Sequence, residues 1–115
     1  MNRDSIIFLE HMLDAINNID KFMLTVTKQE FFTNVEKHSA VVRQLEILGE
    51  AAKNLKHSFI SKYQSIPWKE IIGLRDKVIH HYFGLDMEII FDIVNKELPP
   101  LKKNLQKIIK IENEK

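Results

Sequence analysis

Three glycines and three prolines in 115 residues leave this chain few places to turn. Apolar residues recur at helical intervals along nearly all of it. Ile6, Leu9, Leu13, Ile16 and Ile19 follow one another three or four residues apart, with Phe22 and Met23 closing the stripe. That period puts them on one face of an amphipathic helix, for which Asn2, Asp4 and Ser5 are candidate N-caps. The β-branched run at residues 24–27 breaks the pattern, and Thr27 and Glu30 have the spacing of a capping box, so a second helix is predicted from there with a bend near residues 31–34. Residues 35–55 form a long third segment, with Val35, Val42, Leu45, Leu48, Ala52 and Leu55 on one face. Gly49 sits inside it, where glycine costs about 1 kcal/mol relative to alanine. Its presence there predicts close packing against another helix, helped by Ala51 and Ala52, either within one bundle or across a dimer. Residues 56–66 read as a connector with one helical turn.

Pro67 suits a first helical position, where its missing N–H costs nothing. Ile71, Ile72, Leu74, Val78 and Ile79 carry a helix toward residue 82. Gly84 is a stop signal and Asp86 a cap for the next helix, residues 87–98. Pro99 and Pro100 end or kink that helix and begin a last one, residues 101–112, which is basic through Lys102, Lys103, Lys107 and Lys110. With no repeat, low-complexity segment or strand pattern, the expectation is all-α: a single domain over residues 1–115, built as a small up-and-down bundle of about five helices.

Seventeen basic and sixteen acidic residues give a net charge of +1, so any nucleic-acid site has to be a local patch. The absence of cysteine excludes disulfides, thiolate catalysis and zinc–thiolate sites, and agrees with a cytoplasmic protein. No apolar run approaches the ~20 residues of a membrane span, and acidic residues interrupt the apolar N-terminal stretch, unlike a signal peptide. No membrane partner is expected.

Residues 73–86, "GLRDKVIHHYFGLD", concentrate Arg75, Asp76, His80, His81 and Tyr82 within eight positions. At 100° per residue Arg75 and Tyr82 share a helix face, as do Asp76 and His80, but Arg75 and His80 stand about 140° apart. A joint site therefore needs either a helix that ends near His80 or a second copy of the helix across a two-fold axis. The chemistry these residues suit is metal-free cleavage of RNA. A neutral histidine takes the proton of the ribose 2′-hydroxyl and a protonated one supplies the leaving 5′-oxygen. Arginine's fork binds phosphate oxygens and stabilises the charge that gathers on them. Asp76, one turn before His80, can orient it, and Tyr82 can stack on a base or bind phosphate. No carboxylate cluster resembles a two-metal centre, so neither metal nor cofactor is expected. The competing reading is polar trim. In it Arg75 is surface charge, Asp76 and His80 are an ordinary i, i+4 pair, His81 answers the helix dipole, and Tyr82 and Phe83 are core aromatics. His11, His38 and His57 read as surface histidines, and Glu46 and Glu50 as a solvated face or partners of Arg43 and Lys53.

"AVVRQLEILGEAAKNL" (residues 40–55) and "IPWKEIIGLRDKVIHHYFGLD" (residues 66–86) resemble the two signature blocks of the HepT-like proteins. These belong to the HEPN superfamily, the higher eukaryotes and prokaryotes nucleotide-binding domains. "RDSIIFLEHMLDAINNI" and "FDIVNKELPPLKKNL" also fit, so the resemblance covers nearly the whole chain. Arg75, His80 and Tyr82 match the family motif position by position. Asp76 stands where asparagine is common, and His81 where glycine is frequent. The resemblance implies a prokaryotic toxin of a toxin–antitoxin pair, a metal-independent endoribonuclease with Arg75, Asp76 and His80 as catalytic residues and Tyr82 and His81 in RNA binding or regulation. It implies a homodimer, with higher oligomers open, whose motifs meet at the interface. The implied partner is a minimal nucleotidyltransferase antitoxin that transfers AMP to Tyr82. The alternative it allows is a non-catalytic nucleotide-binding or regulatory subunit of that nucleotidyltransferase.

Overall fold

The computed structural model describes residues 3–84 and 86–115, all helix and connection without a strand among them. The first helix, α1 (Arg3–Phe22), contains Asp4 and Ser5 in its first turn, while Asn2 lies outside the described residues. A tight loop, in which Thr25 adopts a positive φ, leads to α2 (Lys28–Thr33). Half of the capping box is present: the Thr27 hydroxyl accepts from the Glu30 N–H at 3.1 Å, while the Glu30 carboxylate accepts from that hydroxyl at 3.2 Å in place of the Thr27 N–H. The expected bend is a break at Asn34, whose side chain accepts from the Lys37 N–H at 3.0 Å and starts α3 (Val35–Lys53). Three short helices follow, α4 (His57–Lys62), α5 (Trp68–Ile72) and α6 (Leu74–Phe83). The predicted helix over Pro67 to residue 82 is thus two helices. Gly73 ends one and caps the other, because glycine holds a helix interior least well.

The final stretch departs from the expected pair of helices in another way. α7 (Met87–Asp92) runs through a π-helical turn, Ile93–Glu97, directly into α8 (Leu98–Asn113). Pro99 and Pro100 lack donors, and each ring crowds the carbonyl four residues back. The wider turn, in which the Leu98 N–H reaches the Ile93 carbonyl five residues back, lets the helix pass both prolines without breaking.

α1 packs antiparallel on α3, with Asn18 of one donating to Gln44 of the other at 3.2 Å. α8 runs antiparallel to α1, tied at one end by Lys102 and Asp20 at 2.9 Å. Leu9, Met12, Ile16 and Ile19 from α1, Val41, Leu45, Leu48 and Ala52 from α3, and Leu101, Leu105 and Ile108 from α8 are buried together. Each of these side chains larger than alanine contributes about 1.5–3 kcal/mol by leaving water. Val35, expected on this face, is 65% exposed because it is the first residue of α3 and extends past the core.

Gly49 faces the α5–α6 junction. A Cβ built there lies 3.2 Å from the Ile71 carbonyl oxygen and 3.3 Å from the Arg75 nitrogen. The close approach inferred from the sequence is therefore within one chain, and it is made against backbone. A second tie was not legible in advance. The buried Glu112 carboxylate of α8 accepts from the Tyr63 hydroxyl and pairs with Lys115 at 2.9 Å and Lys62 at 3.9 Å, holding the end of α4 against α8. Burial alone pushes this carboxyl up, but bonds from Lys115 and Tyr63 and the charges of Lys62 and Lys115 outweigh it and hold it at about 2. Burial, with the bond to and charge of Glu112, pushes the Tyr63 phenol up to about 12.

Two outcomes are expected. Gly49→Ala gains about 1 kcal/mol of helix propensity but overpacks a backbone contact, which costs about 1–3 kcal/mol, so thermal unfolding should show a net loss. A variant more stable than the parent would show that the junction gives way. For Glu112, the folded value of about 2 lies below the ordinary 4.5, so the unfolded chain binds the extra proton between them. Stability is then full above 4.5 and is lost as pH falls toward about 2. Urea unfolding at a series of pH values should show this loss, and Glu112→Gln should be weaker at neutral pH with a shallower acid slope.

Candidate active site

The polar cluster of residues 75–82 is carried by α6, and α6 is fixed at both ends. At its start, the buried Trp68 donates its indole N–H to the Tyr63 carbonyl at 2.8 Å, anchoring α5, and Gly73 passes the chain into α6. At its end, the Gly84 N–H bonds the His80 carbonyl at 3.1 Å and the Asp86 N–H bonds the His81 carbonyl at 2.8 Å. The Asp86 side chain, as expected, caps α7 by accepting from the Ile89 N–H at 3.4 Å.

Leu74 and Val78 turn into the core, packing α6 on α3. On the opposite side of the helix Asp76, His80 and Phe83 fall within about 60° of one another. All three are exposed. Phe83, weighed as a core aromatic, is instead 78% exposed, because this arc leads away from the bundle. Arg75 sits off the arc toward α3. One of its guanidinium nitrogens lies 3.2 Å from a carboxylate oxygen of Glu50, both side chains being about half exposed. Glu50 thus pairs with Arg75 and not with Lys53, while Arg43 and Glu46 do pair, at 3.7 Å.

Tyr82 is half-buried between α6 and α3. Its hydroxyl is 2.7 Å from the Ser39 hydroxyl and its ring packs on His38 with centroids 5.4 Å apart. His38, taken from the sequence as a surface residue, is buried, and its Nδ1 has no hydrogen-bond partner among the described residues. Burial lowers its pKa, favouring the neutral ring. The signal for it was its position: Val35, His38, Val42 and Leu45 keep the apolar period. His81 turns to Asp86, with Nδ1 to Oδ2 at 3.7 Å, and its ring meets His80 at 5.2 Å between centroids.

The fold therefore brings Tyr82 to Ser39 and His38, Arg75 to Glu50, and His81 to Asp86. Arg75 and His80 are not joined. Five residues of one helix separate them by about 7.5 Å of rise as well as 140° of rotation. The helix runs on to Phe83, so His80 occupies its last turn but not its final residue. Among the described residues no group of three or more histidines and carboxylates is placed to hold a metal ion.

Residues 12–108 match the family model described as Ribonuclease HepT-like. Two similar proteins are each named "Putative RNase". One, from Methanocaldococcus jannaschii, is 46% identical over 103 residues, covering 90% of this chain and 85% of its own. The other, from Caldanaerobacter subterraneus subsp. tengcongensis, is 40% identical over 105 residues, covering 91% and 94%. A Thermococcus cleftensis protein named "Probable ribonuclease HepT" is 36% identical over 110 residues, covering 96% of this chain and all of its own length. The chain spans about half (49%) of a further, longer M. jannaschii relative, to which it is 41% identical. No solved structure matches the chain.

The Ser39–Tyr82 bond makes its own test. Ser39→Ala and Tyr82→Phe should each lower stability by about 0.5–1.5 kcal/mol. The double variant should lose clearly less than the two single losses added, since both remove one bond. Strict additivity in urea unfolding would mean the hydroxyls do not pair.

Proposed function

The chain belongs to the ribonuclease HepT-like family, and from that we propose that it is a metal-independent endoribonuclease, the toxin of a toxin–antitoxin pair. The observation that carries this is α6 itself: one short helix, braced at both ends, that holds Arg75, Asp76 and His80 in solvent and Tyr82 against its neighbour. In the reaction, an imidazole of His80 takes the 2′-hydroxyl proton, the ribose oxygen attacks phosphorus, and a protonated His80 gives a proton to the departing 5′-oxygen. The Arg75 guanidinium stabilises the phosphorane oxygens. Asp76 lies one turn before His80 on the same arc and positions it.

The separation of Arg75 from His80 along one helix supports a two-fold assembly. Two copies of α6 facing one another supply an arginine from one side and a histidine from the other to a single phosphate, and two histidines for the two proton transfers. A small nucleotidyltransferase acts as antitoxin in this reading by transferring AMP from ATP to the Tyr82 hydroxyl: the phenol oxygen bonds the α-phosphorus and pyrophosphate leaves. The adduct replaces the hydroxyl proton, sets a bulky anion two residues from His80, and repels the substrate phosphate. Both proteins work in the cytoplasm.

A second reading has its own observation. Asp76 and the paired Glu50 both place negative charge beside Arg75, which weakens its hold on phosphate. That suits a non-catalytic nucleotide-binding or regulatory subunit of the nucleotidyltransferase, which forms the complex without cutting RNA.

Purified chain incubated with single-stranded RNA and EDTA separates these. Cleavage should proceed, and His80→Ala, whose helical circular dichroism should be unchanged, should lose at least about a hundredfold in rate, the lower end of what general acid–base catalysis contributes. Equal rates for variant and parent would remove His80 from the chemistry. Intact mass after co-expression with the nucleotidyltransferase should gain one adenylyl group, absent in Tyr82→Phe.

A further inference from the structure

α6 leaves one large apolar ring in solvent beside its exposed histidine. Phe83 is 78% exposed, while the adjacent Tyr82 ring is committed to His38 and Ser39. Base stacking, assigned to Tyr82 on sequence grounds, thus has a better-placed ring next to it. Phe83 follows His80 by three residues, about 4.5 Å farther along the helix and 60° round it. Its contact with Tyr82 is edge to face, with centroids 5.7 Å apart at 63°, not a stacked pair, and leaves most of the Phe83 ring in solvent. Arg75 and Lys77, both exposed, flank the arc that holds Asp76, His80 and Phe83. Lys77 and Arg75 lie about 9 and 12 Å of rise before the ring on the same helix, so a base stacked on Phe83 leaves the phosphates of neighbouring nucleotides to run back toward them, the pairing of stacking ring and cations that holds single-stranded nucleic acid.

We propose that Phe83 is the stacking platform for an unpaired RNA base next to the scissile phosphate, and so a substrate-positioning residue. This rests on the reading of α6 as an RNA-cleaving site and names the group that seats the substrate there. It holds whether one or two copies of α6 line the site.

The test uses the full chain with His80→Ala, so that RNA stays intact, and a short single-stranded oligoribonucleotide carrying 2-aminopurine at successive positions. Stacking on Phe83 should quench the probe at one position. Adding Phe83→Ala should weaken binding about five- to hundredfold and abolish the quench. Phe83→Leu should behave like alanine, and Phe83→Trp should restore both. With His80 intact, Phe83→Ala should raise KM more than it lowers kcat. Parental affinity in Phe83→Leu would reduce the ring to apolar filling and overturn the proposal. So would sedimentation in which Phe83→Ala dissociates a dimer, since the ring would then be covered by a second copy. The cleavage reading fails separately, if the parent chain leaves RNA intact or His80→Ala cuts as fast as it does. Phe83 alone fails if its alanine variant binds and cuts like the parent while His80→Ala is inactive.

Discussion

The missing side chain at Gly49 sets the position of α6. Without a Cβ there, the carbonyl of Ile71 and the nitrogen of Arg75 come to rest on the surface of α3. The antiparallel register that follows is held again at the far end of α6, where Tyr82 meets Ser39. Between these points Leu74 and Val78 fill the seam. Arg75 reaches Glu50 because it lies beside the glycine contact, and the Asp76–His80–Phe83 arc points outward because the opposite side of a ten-residue helix has been used for packing.

The two ends of α6 differ in how firmly they hold their polar groups. The Arg75–Glu50 pair is exposed, and such pairs contribute only about 0–1 kcal/mol and weaken with salt. The Arg75 guanidinium can therefore leave Glu50 at little cost. Tyr82 is held otherwise, by a hydroxyl bond and by ring packing on a buried histidine. One end of the helix is therefore electrostatically labile while the other is sterically fixed.

Much of this was readable in the apolar period. Every long helix, the N-cap at Thr27 and the caps at Asp86 and Gly84 follow from spacing and residue type, and so does the need for a close contact at Gly49. Tyr63–Glu112 and His38 were missed for one shared reason. Glu112 continues the series Leu101, Leu105, Ile108, and His38 continues Val35, Val42, Leu45, so each polar residue occupies an apolar phase and is carried inward with it. Residue type suggested solvent, and position decided against it. The division at Gly73, the choice of Glu50 as Arg75's partner and the exposure of Phe83 depend on how helices meet, which one-dimensional spacing does not encode. The polar cluster of residues 75–82 was visible as a set, but its division among separate contacts required the packing of α6 on α3.

The π-helical turn at Ile93–Glu97 has a geometric effect beyond accommodating two prolines. A turn with one extra residue rotates everything before it by about 100° relative to everything after it. α7 and α8 thus form one continuous rod with two facings: α7 addresses α2 and α6, and α8 addresses α1. The rod acts as a gear whose phase is set by a single residue. Asp86, at the head of α7, is the point where that phase reaches His81 and the end of α6. The angular setting of this corner of the site is thereby fixed by residues some ten positions away, on a helix that contributes no side chain to the arc.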